Sequence, residues 1–191
     1  MSLAFPHSKR VILPLAGITA ILLIAALAIF KPWLLFIDKT VNDALPPAAA
    51  TAPDTPQSDA PDPGLQTQSQ PAAPTVVATG SFVSHEHETS GTATIYRLPD
   101  GSHQLALADL MTSNGPDVHV WLSAGPVVEG TGGWHTAADH DHLDVSTLKG
   151  NKGNQLYDLP SDIDLTTWKS VVLWCEDFSV SFGAAALTAS A

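Results

Sequence analysis

The chain contains little cysteine, methionine or basic side chain, and each shortage excludes a class of chemistry. Its 191 residues include one cysteine, Cys175, and two methionines. A single cysteine cannot form an internal disulfide, a dithiol couple or the Cys-x-x-Cys-His attachment of a covalent haem. Neither histidine nor methionine follows Cys175, so the ligand order of a blue-copper site is also absent.

Basic residues are outnumbered by acidic ones, with 8 Lys and Arg against 19 Asp and Glu. This acidity repels phosphate backbones, so we expect no nucleic-acid partner. The glycine-rich segment 150–154 is not followed by Lys-Ser or Lys-Thr, and no Gly-x-Ser-x-Gly nucleophile motif occurs. Whether the protein is an enzyme stays open, since no catalytic motif is present.

Residues 11–30 form an uncharged apolar run. As a helix this run would extend roughly 30 Å, the thickness of a bilayer's hydrocarbon core. It ends at Lys31-Pro32-Trp33 without a small-x-small cleavage site, and Trp33 suits the membrane interface. We predict a signal anchor over residues 11–31 that follows a cytoplasmic stretch, residues 1–10. A cleavable signal peptide is the alternative.

Residues 44–74 are dominated by Pro, Ala, Thr, Gln, Ser and Asp. A segment of this composition buries too little apolar surface to offset its chain entropy, so we predict a disordered linker. An anchor, a linker and a following domain over residues 75–191 indicate a single-pass protein of the cell membrane. The C-terminal domain is then outside the cytoplasm.

Alternating apolar and polar residues predict β-structure in the C-terminal domain. Residues 92–98 and 103–108 alternate on either side of Pro99-Asp100-Gly101, which is typical of a hairpin. Several further short strands are expected after it, with a Gly- and His-rich loop over 124–144. We predict an all-β fold, an antiparallel β-sandwich, preceded by one transmembrane helix and the disordered linker.

Seven segments of this domain, in order, resemble the DM-thirteen family. They are Gly80-Ser81-Phe82, His85, Ser90 to Ala93, Asn114 to Leu122, Leu148 to Gln155, Val171 to Cys175, and Phe178 to Gly183. This electron-transfer family occurs in Skeletor-like animal proteins and in bacterial surface proteins, and the chain resembles a bacterial, membrane-anchored member. The resemblance implies a sandwich related to haem- and sugar-binding DOMON domains. It also implies a redox role around the cysteine, as a free thiol or beside a prosthetic group.

Cys175 is therefore the candidate redox thiol. If Val171, Leu173 and Cys175 share one strand face, the thiol points among aliphatic side chains. Its sequence neighbours Trp174 and Glu176 would not lower its pKa, so core packing is the alternative role.

The candidate cofactor-binding residues are His119, His85, Trp121 and Trp174. Alternation places His119 beside Trp121, as an axial ligand in an aromatic pocket or as a hydrogen-bonded residue on a half-exposed sheet face. Any haem would be non-covalent. Such a site requires the sulfur of Cys175 and a ring nitrogen of His119 or His85 to border one cavity.

Histidines near Asp and Glu are further candidates for a transition-metal site, and solvated loops are the alternative. The candidates are His85, His87, His135, His140 and His142.

We predict a membrane-anchored, extracytoplasmic domain with an electron-transfer role centred on Cys175, and its candidate cofactor is a non-covalent haem or a metal. Its redox or surface partner is not identified by the sequence. The alternative is a non-catalytic surface module that binds a glycan, metal or protein, with Cys175 as core packing.

Overall fold

The structure is a computed structural model that describes residues 17–25, 27, 37–47 and 72–190. Residues 17–25 are helical. Within the described ranges, no helix combines the length and apolar character needed to cross a membrane. The structure does not describe the predicted N-terminal stretch, much of the predicted anchor or most of the predicted linker. Those three assignments remain predictions.

The described domain is mostly β, as the alternating sequence predicts. Its strands are β1 (Thr40–Asn42), β2 (Thr75–Ser84), β3 (Ser90–Arg97), β4 (His103–Met111), β5 (Val118–Ser123), β6 (His142–Thr147), β7 (Lys152–Leu159), β8 (Ser170–Cys175), β9 (Val180–Ala186) and β10 (Thr188–Ala189). Two short 3₁₀ turns, Gly130–Gly133 and Thr136–Asp139, interrupt the predicted loop between β5 and β6.

The strands form one curled, mixed sheet, so the expectation of an antiparallel sandwich is correct only in part. The order across the sheet is β1-β7-β4-β3-β2-β9-β8-β5-β6, with β10 paired to β2. Strand β2 joins two halves of the sheet, β1-β7-β4-β3 on one side and β9-β8-β5-β6 on the other. Its first part pairs with β3, and its last three residues pair with β9. A Cβ at Gly80 would collide with the carbonyl of Ala186, so this glycine permits the close approach where β2 changes partner.

The predicted hairpin is confirmed between β3 and β4. Gly101 adopts φ +87°, a left-handed conformation that glycine accepts without strain. The Asp100 carboxylate accepts hydrogen bonds from the backbone N–H and the hydroxyl of Ser102. Local turn chemistry is therefore sufficient to set this register.

The curled sheet encloses one apolar core on its inner face. In β8 the residues Val171, Leu173 and Cys175 point into this core, while Val172 and Trp174 point to the outer face. The expectation that Cys175 shares a face with aliphatic side chains is confirmed.

The loop between β5 and β6 packs over the outer face of the sheet. Its Ala137 is buried against Trp121 and Trp174 on that face. The side chain of Trp134 instead packs against the inner core, and its carbonyl accepts a hydrogen bond from the backbone N–H of Ser181. The predicted loop is thus an ordered cover, and its last residues already belong to β6, which the sequence did not predict.

Strand β1 was not predicted either. Residues Thr40–Asn42 pair in parallel with Lys152–Asn154 at the edge of β7. The domain therefore includes chain from both sides of the predicted linker.

Candidate functional site

Cys175 ends β8 between Val118 of β5 and Val180 of β9. Its side chain is fully buried in the apolar core. Burial raises the pKa of the thiol, and backbone N–H groups near the Glu176–Ser179 turn offset only part of that rise. The cysteine is therefore held as a neutral thiol that reagents in solution cannot contact.

His119 lies on the outer face, on the opposite side of the sheet from Cys175. Its Nδ1 is 2.8 Å from a carboxylate oxygen of Asp144, and its Nε2 is 3.0 Å from one of Asp117. Desolvation would lower the pKa of His119, but the hydrogen bonds to Asp144 and Asp117 outweigh it, so the pKa is raised. Both ring nitrogens are engaged, and binding a metal through either would break one of these bonds.

His85 also lies on the outer side, beneath the covering loop. Its Nδ1 is 2.8 Å from the hydroxyl of Ser181, a residue that pairs with Trp174. Its Nε2 is buried without a hydrogen-bond partner, in a space where a Cβ on Gly133 would also intrude. Desolvation lowers the pKa of His85, and the backbone of Val128 beside the ring offsets only part of that fall.

Trp121 and Trp174 stack on each other beneath the same loop. Their ring centroids are 4.8 Å apart with planes 19° from parallel, and His142 stacks on the other face of Trp121 at 3.7 Å and 8°. Both indoles are buried, whereas His142 is an exposed residue. Trp121 and Trp174, the predicted pocket walls, therefore contact each other directly. The third ring of the stack, His142, was predicted as a metal ligand instead.

The remaining candidate histidines, His87, His135 and His140, have separate partners. His87 contacts the carboxylate of Glu86 at 2.6 Å and its ring lies against Phe182, whereas His85 bonds to Ser181. The Nδ1 atoms of His135 and His140 lie 2.9 and 2.8 Å from the backbone carbonyls of Ser179 and Thr136. Within the part of the chain that the structure describes, no three His, Cys, Asp or Glu side chains are grouped to hold a metal.

A haem does not fit the described arrangement of these residues. The sheet separates Cys175 from both His119 and His85, so no shared cavity joins the sulfur to a ring nitrogen. Trp121 and Trp174 contact each other and leave no slot between them. Two clefts of about 280 and 140 Å³ open near β1, and neither is lined by Cys175, His85 or His119.

Two features of the site were not predicted from the sequence. Asp144, which holds His119, lies on β6 within the predicted loop. The stack of His142 on Trp121 depends on the pairing of β5 with β6, where His142 is opposite Ser123. An alternating pattern over residues 142–147 was the only signal for this strand, and its polar residues concealed it.

The chain matches the model of the family described as Electron transfer DM13 over residues 81–187. Comparisons with curated proteins and with solved structures gave no match. The matched range contains Cys175, His119, the ring stack and the covering loop. The chain therefore belongs to the DM13 electron-transfer family.

Proposed function

We propose that this protein is an electron-transfer module tethered to the cell membrane, with its domain outside the cytoplasm and Cys175 as the group that is oxidised and reduced. Membership of the family supports electron transfer. The observation that carries the assignment to Cys175 is the ring stack, because it connects an exposed side chain with the strand that holds the thiol.

The stack has the form of an electron path. His142 at the surface contacts Trp121, Trp121 contacts Trp174, and Trp174 precedes Cys175 in β8. An electron tunnels through packed groups, so no reactant has to enter the core. The burial that prevents thiol–disulfide exchange at Cys175 thus leaves this route open.

The electron and the proton leave Cys175 together in this step. A one-electron acceptor near His142, such as a metal complex or a haem protein, gains one electron through the rings. The thiol loses that electron and also its proton, because its raised pKa keeps it protonated beforehand. The exposed Glu176–Ser179 turn directly follows Cys175, and under this proposal it opens to admit the water that takes the proton. A thiyl radical remains, and return of one electron and one proton restores the thiol.

A second candidate function is a surface module that binds a glycan, metal or protein, with Cys175 as core packing. The observation that favours it is the position of Cys175, which is fully buried among aliphatic side chains. A buried free cysteine ordinarily packs as a small hydrophobic side chain.

Oxidation by hexachloroiridate(IV), a one-electron oxidant, distinguishes the two functions. We expect full-length protein to reduce the oxidant, and Trp121→Leu to slow this by about tenfold, equivalent to about 1.4 kcal/mol of barrier. Cys175→Ala should abolish the thiyl signal in freeze-quench electron paramagnetic resonance. Trp168→Phe is the matched control, because Trp168 packs against the inner core, away from the stack.

Equal oxidation rates in the wild type and Trp121→Leu, with no sulfur radical in the wild type, would reject electron transfer through Cys175. That result would favour the binding module.

The membrane tether has its own test. We expect the full-length protein to stay with the membrane fraction after an alkaline carbonate wash, because an apolar span is removed only by detergent. Release of a shortened protein into the medium would instead show a cleaved signal peptide.

A further inference from the structure

A short segment before the predicted linker is bound to the edge of the domain. This docking segment, residues 37–43, contains β1 and lies outside the family-matched range 81–187. Its acceptor edge, residues 149–156, comprises the start of β7 and the loop before it, and lies inside that range. More than 100 residues of sequence separate the hydrogen-bonded partners, so the contact is tertiary rather than local.

Backbone and amide hydrogen bonds fix the register of the docking segment. The N–H of Lys152 donates to the carbonyl of Lys39, and the N–H of Asp43 donates to the carbonyl of Asn154. Asn151, which is 2% exposed, accepts a 2.7 Å hydrogen bond from the N–H of Lys39 and donates a 2.9 Å bond to the carboxylate of Asp38. The buried amide of Asn151 thus bonds to both the backbone and a side chain of the segment.

Two ion pairs join the same surfaces. The ammonium group of Lys152 is 2.5 Å from the Asp38 carboxylate, and that of Lys149 is 2.8 Å from the Asp43 carboxylate. The Asp43 carboxylate also accepts a 2.9 Å hydrogen bond from the N–H of Leu156. The charges of these pairs are complementary, because both acids lie on the segment and both lysines lie on the acceptor edge.

Two glycines of the acceptor edge provide space for the segment. A Cβ at Gly150 would collide with the carbonyl of Lys39, and one at Gly153 would collide with the carbonyl of Val41. Gly153 also has φ +92°, which other residues rarely adopt. The edge is therefore shaped for a second backbone at these two positions.

We propose that the acceptor edge is a strand-binding site for the chain's own residues 37–43. Its occupation closes residues 44–74 into a loop whose two ends lie on the domain. The domain is then held beside the end of the apolar run, rather than at the end of an extended stalk. Only this last statement rests on the proposed membrane tether, and strand binding itself does not depend on electron transfer.

Cleavage of the loop tests this proposal. A recognition sequence for a specific protease is placed within residues 52–66 of the full-length protein, with different tags at the two ends, in detergent. After cleavage we expect most of the C-terminal piece to stay on resin that holds the N-terminal tag. A synthetic peptide of residues 37–47, added in excess, should release it by competing for the acceptor edge.

Variants of the docking segment leave the acceptor domain unchanged. Val41→Pro removes a backbone donor from the edge strand and should lose retention after cleavage. Asp38→Asn with Asp43→Asn removes both ion pairs and should lower the peptide concentration for half-release by about three- to tenfold. Asp54→Asn with Asp59→Asn, two acids of the predicted linker, is the charge-matched control and should match the wild type.

Two outcomes would overturn the proposal. One is immediate separation of the cleaved wild-type pieces, at the rate of the Val41→Pro variant. The other is a full-length dimer that becomes monomeric in Val41→Pro, which would place the segment on a second copy. Both readouts are independent of oxidation by hexachloroiridate and of carbonate extraction, so failure here is separable from failure of the proposed function.

Discussion

At the level of single residues, Cys175 is a free thiol that is fully buried in an apolar core. If the domain lies outside the cytoplasm, as proposed, its thiol is exposed to sulfenic acid formation and mixed disulfides unless it is buried. Here the apolar core and a raised pKa both suppress the thiolate that those reactions require. Burial therefore excludes exchange chemistry at Cys175 and leaves packing or long-range electron transfer as its roles.

Substitution of Cys175 measures how apolar its surroundings are. We expect Cys175→Ala to lower the free energy of unfolding by about 1–2 kcal/mol through the cavity that it leaves. Cys175→Ser should cost about 1 kcal/mol more, because it buries a hydroxyl in the core. Urea denaturation checks both values. A serine variant as stable as the alanine variant would show that the N–H groups near the Glu176–Ser179 turn can satisfy the hydroxyl.

His119 should make stability depend on pH. Its pKa is raised in the folded protein, so its contribution is complete below the unfolded pKa of about 6.5 and is lost as pH rises through the folded pKa. We expect the wild type to exceed His119→Gln by about 0.5–1 kcal/mol at pH 5.5, and by less at pH 8.5. Urea denaturation at the two values measures this difference. His140→Gln, at an exposed loop position, is the control, and a difference that grows with pH would contradict the assignment.

At the level of elements, the exchange of partners along β2 depends on Gly80. We expect Gly80→Ala to lower the free energy of unfolding by about 2–3 kcal/mol, because its Cβ would meet the backbone carbonyl of Ala186 rather than a side chain that can move. Gly132→Ala is the control, since its Cβ would meet only a methyl group of Val128 at 3.4 Å. Thermal and urea unfolding of both variants provide the measurement. Equal stability of the two variants would show that the strand shifts to accommodate the methyl group.

The elements that sequence predicted are those that local chemistry specifies. The β3–β4 hairpin follows from Asp100 and Gly101, and the inner and outer faces of β8 follow from alternation. Strand β1 could not be predicted, because its three residues have no apolar pattern and its register is set by Asn151 and Gly153, far along the chain.

The candidate site was predictable in its components but not in its arrangement. The sequence pattern correctly placed His119 and Trp121 together on the face opposite the core. It could not show that Asp117 and Asp144 engage both nitrogens of His119, nor that Trp174 and His142 stack on either side of Trp121. These contacts depend on which strands are neighbours in the sheet, and a single sequence does not contain that information.

At the level of the whole molecule, β2 links the two halves of the sheet covalently and through hydrogen bonds. We expect the domain to unfold in one transition, because separating the halves would break the pairing of β2 on one side. Tryptophan fluorescence reports the half of the sheet that contains β5 and β8, because Trp121 and Trp174 lie on those strands and Trp168 packs against the core just before β8. Far-ultraviolet circular dichroism reports all strands. Coincident urea curves are expected, and two separated midpoints would show that the halves unfold independently.

The docking segment also has a mechanical consequence. If the N-terminal end is fixed in a membrane and a partner pulls on the domain, the load passes first through the short ladder between β1 and β7. Detachment of β1 would release residues 44–74, which extend to at most about 110 Å. The protein would then lengthen at low force before the rest of the β-sheet bears any load, and the domain would stay folded while the linker extends.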